Sequence, residues 1–271
     1  MPKPFLKWAG GKTKLLDQLL PLLPSDIEER RYFEPFLGGG SMFFHLQPQG
    51  AMLGDVNAEL ITTYEAVRAC VDDVLEELAS LCQSPMSADT YYQCRERYNG
   101  GHMSMVEKAA LFIYLNKTCF NGIYRVNKAG LFNVPYGQRK TPYVVEEEAL
   151  RESSRVLRHA ALLPLKYKDT ALMASHKAFV YFDPPYMPLS ATSNFATYAK
   201  EGFSFEDQKE LRELCGTLNA RGVKFMVSNS DTPELRELYS MFNLHTITAT
   251  RSINSKGNGR GAVLELVVTN Y

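Results

Sequence analysis

No apolar run in this 271-residue chain approaches the roughly 18 residues of a membrane span. Its opening Met1-Pro2-Lys3-Pro4-Phe5 lacks the apolar core of a signal peptide. A cytoplasmic protein with no membrane partner is expected. Cysteine is sparse and carries no pairing pattern: Cys70, Cys82, Cys94, Cys119 and Cys215 form no C-x-x-C, which favours reduced packing residues over disulfides or zinc ligands. His45, His102, His159, His176 and His245 are scattered, without zinc-like spacing, and no metal is expected. Neither an internal repeat nor a low-complexity tract is present.

Net charge is missing too, since 30 Lys and Arg balance 30 Asp and Glu. A neutral sum argues against a nucleic-acid partner, but the distribution argues for one. From Lys108 to Val145 there is no acid, yet Lys108, Lys117, Arg125, Lys128, Arg139 and Lys140 are present. Residues 1–16 hold four lysines and no acid; residues 238–264 hold Arg251, Lys256 and Arg260 and no acid. The balancing acids gather at Asp72 to Glu77, Glu146 to Glu148 and Glu201 to Glu213. A neutral chain can thus present one basic face, the footprint of a polyanion partner.

What is present is an ordinary globular composition, 45% hydrophobic and 22% charged, enough for a large core or a core plus a smaller lobe. Val180-Tyr181-Phe182 reads as a buried strand. Pro184 and Pro185 have no backbone N–H, so the strand stops at Asp183. Ligands of open α/β sheets collect beyond the carboxyl ends of strands, and Asp183, Pro184, Pro185 and Tyr186 are therefore the candidate reactive group.

Upstream, Tyr32-Phe33-Glu34-Pro35-Phe36-Leu37-Gly38-Gly39-Gly40-Ser41 reads as strand, glycine turn and helix, and Ala51 to Asp55 as a second strand ending in an acid. Glycines Gly38, Gly39 and Gly40 let backbone approach a ligand, and Asp55 is placed to bind ribose hydroxyls. Together they suggest a nucleoside-bearing cofactor; the full G-x-G-x-x-G of a dinucleotide site is absent. Gly11-Lys12-Thr13 is no phosphate loop, because Leu6 stands where that motif needs glycine. Trp8 still offers a flat surface and Lys12 a charge.

Helical periodicity is expected over Leu15 to Leu20, Leu60 to Leu81, Tyr91 to Tyr98 and Val106 to Asn116. The basic segment Lys117 to Tyr143, rich in Gly, Asn and aromatics, reads as a hairpin able to reach base edges. Residues 58–145 are thus an inserted helical domain. Alternation then resumes: helix Glu147 to Leu157, strand near Ala161 to Leu165, helix Ala171 to Ser175, strand Ala178 to Phe182. A polar lid over Met187 to Gly202 is followed by helix Phe205 to Arg221, strand Val223 to Ser228, helix Pro233 to Met241, and strands Leu244 to Thr250 and Val263 to Thr269 about a basic turn, Ser255 to Gly261.

The end of the Asp183 strand suits a flat ring bearing an exocyclic amine. Adenine N6 is a poor nucleophile because its lone pair is delocalised; N–H bonds to the Asp183 carboxylate and Pro184 carbonyl would localise it and stabilise the charge that develops. Tyr186 can stack on the ring. A paired base must first be flipped out of the duplex.

With Phe5-Leu6-Lys7-Trp8-Ala9-Gly10-Gly11-Lys12, Glu34 to Ser41, Asp55, Phe120 to Tyr143, Asp183-Pro184-Pro185-Tyr186 and Leu189-Ser190-Ala191-Thr192 in this order, the chain resembles the Dam-type DNA adenine-N6 methyltransferases of the α group, or D12 class. The resemblance covers nearly its full length. It implies an α/β fold: a Rossmann-like S-adenosylmethionine-dependent sheet with a terminal antiparallel hairpin, catalytic over 1–57 and 146–271, with the recognition domain over 58–145 inserted. It implies methyl transfer from S-adenosylmethionine to adenine N6 in double-stranded DNA, within GATC, by a monomeric, nucleoid-associated enzyme needing no metal. Trp8, Lys12, Phe36, Gly38, Gly39, Gly40, Asp55 and Asp183 would contact the cofactor, and Lys7, Asn121, Ile123, Arg125, Pro135 and Arg139 the DNA. Phe120 and Arg139 stand where the family usually has tyrosine. An N4-cytosine enzyme and a non-catalytic DNA-binding regulator are the alternatives; a C5-cytosine enzyme is set aside because Cys119 follows threonine, not proline.

Overall fold

In the computed structural model of this chain, residues 2–138, 141, 143, 145–186, 203–250 and 262–271 are described. The strands in chain order are β1 (Arg31–Glu34), β2 (Met52–Gly54), β3 (Ala161–Leu163), β4 (Ala178–Phe182), β5 (Lys224–Ser230), β6 (Asn243–Thr250) and β7 (Ala262–Thr269). The α-helices are α1 (Leu16–Leu19), α2 (Ser41–Leu46), α3 (Ala58–Ala69), α4 (Val71–Gln83), α5 (Ala88–Asn99), α6 (Met105–Thr118), α7 (Glu147–Leu157), α8 (Tyr167–Leu172), α9 (Phe205–Ala220) and α10 (Pro233–Leu238). None is long and apolar enough to cross a membrane.

Two compact units are formed. One comprises Met1–Gly11, Gly38–Gln47 and Asn57–Pro164; the other Lys12–Leu37, Pro48–Val56 and Leu165–Tyr271. In the latter, six strands lie in the order β2-β1-β4-β5-β7-β6. Strands β2, β1, β4 and β5 are parallel, while β7 enters antiparallel between β5 and β6. This is a mostly parallel sheet that ends in an antiparallel hairpin, as expected from the sequence. All five residues of β4 are buried, as befits a parallel strand covered on both faces. Strand order reverses between β1 and β4, because the chain leaves β1 for β2 and returns on β1's other side. Beyond the carboxyl ends of β1 and β4 is where such a sheet collects its ligand.

The other unit is built on α6. Every residue from Ala109 to Thr118 is buried, so this helix is enclosed on all sides along that run and takes the centre, packed on α3, α4 and α5. Ser104 and Glu107 close a capping box at its start. Phe5 packs edge-on to Tyr64 and Phe44, with centroids 5.2 and 6.3 Å away.

Several boundaries differ from the periodicity. The helix expected over Leu60 to Leu81 breaks at Cys70, where ψ is 45°; buried Leu60, Tyr64, Val67, Val74 and Leu78 keep helical spacing across the break, and neither Gly nor Pro marks it. The helix expected at Ala171 to Ser175 is α8, which starts earlier, at Tyr167; its inward residues are Thr170 and Ala171, too weakly apolar to announce it. Leu15 to Leu20 yields only one α turn between two 3-10 turns, because Pro21 has no N–H to donate. Arg139, the stretch 187–202 and the turn 255–261 lie outside the described residues.

Candidate active site and nucleic-acid interface

The sheet unit brings three sequence candidates together. Asp183 follows directly on β4, where the prolines end the ladder. Lys12, only 3% exposed, opens the turn Thr13–Leu15 and sets its Nζ 2.7 Å from Asp183 Oδ1. The same ammonium lies 4.4 Å from the centroid of the Tyr186 ring, within cation–π range. Burial pushes the Asp183 carboxyl above its ordinary pKa; the Lys12 charge and hydrogen bond pull it down, and the Glu265 carboxylate adds to the rise. Burial also holds the Tyr186 phenol well above its ordinary value, reinforced by the charges of Asp183 and Glu265.

Phe36 and Asp55 stand beyond the ends of β1 and β2 in this unit. Phe36 stacks on Tyr167 at 4.9 Å and meets Phe203 and Phe182 edge-on at 5.7 and 6.4 Å. The Leu37 N–H donates to the Gly54 carbonyl at 2.8 Å, tying the two strand ends. Asp55 is partly exposed. Carboxylates after β2 and β4 with an aromatic surface after β1 are a donor set that fits a cationic, nucleoside-bearing cofactor.

In the helical unit, the glycine turn is shaped around Trp8. Gly38 has φ +46°, and a Cβ there would lie 2.7 Å from Trp8 Cδ1; at Gly39 it would lie 3.2 Å from Trp8 Cβ. Gly40, at φ 68°, caps α2 in the left-handed region. The Tyr64 hydroxyl donates to the Gly38 carbonyl at 2.9 Å. Trp8 stacks in turn on Tyr124 at 5.8 Å, and Tyr124 on Phe112 at 5.3 Å.

Most of the DNA-facing candidates lie close by in the same unit. Asn116, buried near the end of α6, accepts from the Lys7 N–H at 2.8 Å and donates to the Lys7 and Gly122 carbonyls at 2.8 and 3.2 Å. That clamp sets Lys7 against the turn carrying Asn121, whose φ of 56° is left-handed. Lys7, Asn121, Arg125 and Pro135 are exposed and Ile123 is half-buried. The Phe120 ring, 52% exposed, is among them. Its N–H donates to the Pro135 carbonyl at 2.9 Å and that of Gly137 to the Thr118 carbonyl at 2.9 Å, closing the base of a hairpin. Further out, Arg125 Nε donates to Asn133 Oδ1 at 2.7 Å.

Asn116, Asn133 and Glu265 escaped the sequence reading. Glu265 on β7 accepts from the Tyr186 hydroxyl at 2.7 Å. Its available signal was a lone acid inside the apolar run Val263 to Val268. Asn116 was masked by the apolar helix around it. Among the described residues, no group of three or more His, Cys, Asp or Glu is placed to hold a metal ion.

Known proteins resemble the chain along nearly its whole length. The family model described as D12 class N6 adenine-specific DNA methyltransferase matches residues 8–253. A type II methyltransferase, M1.LlaDCHI, of Lactococcus lactis subsp. cremoris is 42% identical, over 99% of this chain and 95% of that protein. Another, M.MjaIII of Methanocaldococcus jannaschii, is 40% identical over 99% of both. A DNA adenine methylase of Escherichia coli K12 is 38% identical over 97% of this chain and 93% of that protein.

Proposed function

Because the chain belongs to the D12 class N6 adenine-specific DNA methyltransferases, we propose that it methylates adenine N6 within GATC, using S-adenosylmethionine, on a base rotated out of the duplex. When bound, that cofactor supplies an electrophilic methyl group on a sulfonium. Lys12, Phe36, Asp55 and Asp183 of the sheet unit would hold it.

The observation that carries the reading is the grouping of Asp183, Lys12 and Tyr186 at the end of β4, beside the strand-order reversal. The Asp183 carboxylate and the Pro184 carbonyl would accept hydrogen bonds from the two N6–H groups, localising the lone pair and stabilising the positive charge formed as the N6–methyl bond forms and the methyl–sulfur bond breaks to leave S-adenosylhomocysteine; the methylated nitrogen then releases one proton to water. Lys12 covers one face of Tyr186, so the base would stack on the other, a contact worth about 1–3 kcal/mol. Holding the amine in line leaves little else for the protein to do. Flipping costs a few kcal/mol, which the exposed Lys7, Asn121, Arg125 and Phe120 would repay through their grip on DNA. Residues 58–145 would thus serve as the recognition domain, and 1–57 with 146–271 as the catalytic one.

The test is transfer of labelled methyl from S-adenosylmethionine to a GATC duplex and to one whose central A·T pair is changed. Transfer to the first alone is expected, and none by Asp183→Ala. Equal transfer to both duplexes would refute the specificity; full activity of Asp183→Ala would refute the mechanism.

A further inference from the structure

We infer that Glu265 is the positioning residue for Tyr186: its carboxylate holds the phenol so that the ring is already oriented for the target adenine. The inference deepens the methyltransferase reading and rests on it. Pro184 and Pro185 fix the backbone that leads to Tyr186, but backbone alone does not set the two side-chain torsions of the ring. Two contacts do. Lys12 lies against a face, 4.4 Å from the centroid, and Glu265 Oε2 takes the hydroxyl hydrogen at 2.7 Å. A hydroxyl bonded to a carboxylate is a short, charge-assisted pair, roughly twice as strong as a neutral one.

The sheet explains how a residue 79 positions away reaches the site. Strand β7 runs antiparallel to β5, so its early residues lie at the carboxyl end of the parallel strands; Glu265 pairs in register with Ser230, the last residue of β5, and with Ile247 on β6. Along β7 it shares a face with Val263 and Val267. Acids are unfavourable in strands, and a partly buried carboxylate is costly unless it is hydrogen-bonded. An apolar side chain would serve the sheet better, so this acid is explained by what it holds. Its charge has a second effect, raising the proton affinity of Asp183, which strengthens that carboxylate as an acceptor.

The experiment uses the full chain, a GATC duplex and labelled S-adenosylmethionine, together with a duplex carrying 2-aminopurine at the target adenine, whose fluorescence reports how the unstacked base is held. Glu265→Ala should lower kcat roughly 10- to 100-fold through misplacement of the ring, with KM for the cofactor unchanged and the 2-aminopurine signal altered. Tyr186→Phe, which removes only the hydroxyl, should reproduce both effects. The double variant should be no worse than either single one, because both remove the same bond. Glu265→Gln, still able to accept from the hydroxyl, should recover most of kcat. Losses that multiply in the double variant, or a Tyr186→Phe enzyme with wild-type kcat and fluorescence, would overturn the inference. A wild-type chain that methylates no duplex would instead overturn the parent reading.

Discussion

Lys12 Nζ and Asp183 Oδ1 are 2.7 Å apart, and the lysine side chain is buried. Burial raises the Asp183 pKa and Lys12 opposes the rise. Under the proposed mechanism only the ionised carboxylate accepts the N6 hydrogens. The single-turnover rate should therefore fall as pH drops, with the acid limb beginning above the ordinary aspartate value of about 3.9. Lys12→Met removes the charge that favours ionisation, so its limb should move to still higher pH at saturating cofactor. Asp183→Asn should cost roughly 100- to 1,000-fold in kcat at neutral pH. An acid limb that Lys12→Met leaves in place would contradict the pairing.

Gly38→Ala should be among the more damaging small substitutions in the chain. It combines a left-handed backbone, worth about 1–2 kcal/mol against alanine, with a Cβ placed 2.7 Å from Trp8 Cδ1, which adds overpacking of about 1–3 kcal/mol. Gly50→Ala is the control, since Gly50 has φ +67° but nothing within 4 Å of its Cβ position. Thermal unfolding should show the larger drop for Gly38→Ala, and Trp8→Ala in that background should relieve the steric part. Equal drops for the two glycine variants would mean that Trp8 is not what confines Gly38.

Much of the fold was legible because its signals are local. Two successive prolines end β4 wherever the rest of the chain goes, and α7 begins and ends as its amphipathic pattern predicts, at Glu147 and Leu157. The break at Cys70 and the onset of α8 were not, since each is decided by what the helix packs on. The site divides in the same way. Asp183 and Tyr186 stand out by residue type and spacing, whereas the bond from Tyr186 to Glu265 depends on the β5–β7 register and has no local mark.

Asn116→Ala should separate the helical unit's stability and DNA reading from cofactor binding. The amide satisfies the Lys7 N–H, the Lys7 carbonyl and the Gly122 carbonyl, and each buried group left unpaired costs about 1–3 kcal/mol. A lower Tm is expected, with reduced discrimination between GATC and single-pair variants and an unchanged KM for S-adenosylmethionine. Asn116→Asp keeps the acceptor for the Lys7 N–H but loses both donor bonds, and should be no better. Unaltered discrimination at a lowered Tm would confine Asn116 to a packing role.

Arg125 is the residue on which the prediction of base reading turns. Its Nε donates to Asn133 Oδ1 at 2.7 Å and its Nη2 to the Asn133 carbonyl at 3.2 Å, so one edge of the guanidinium is braced across the hairpin. A planar fork held in that way suits two acceptors on one base better than a single phosphate oxygen. Arg125→Ala should then lower kcat/KM for GATC while relaxing preference at one base pair, a loss of about 1–3 kcal/mol in discrimination. Arg125→Lys should fail to restore it, because an ammonium cannot make the paired contact. Asn133→Ala should weaken the same preference by loosening the fork. The measurement is kcat/KM on GATC and on each single-pair variant, repeated across salt concentrations. If Arg125→Ala instead depresses every duplex equally and reduces the salt slope by about 0.9, the residue contacts a phosphate and another side chain reads the base.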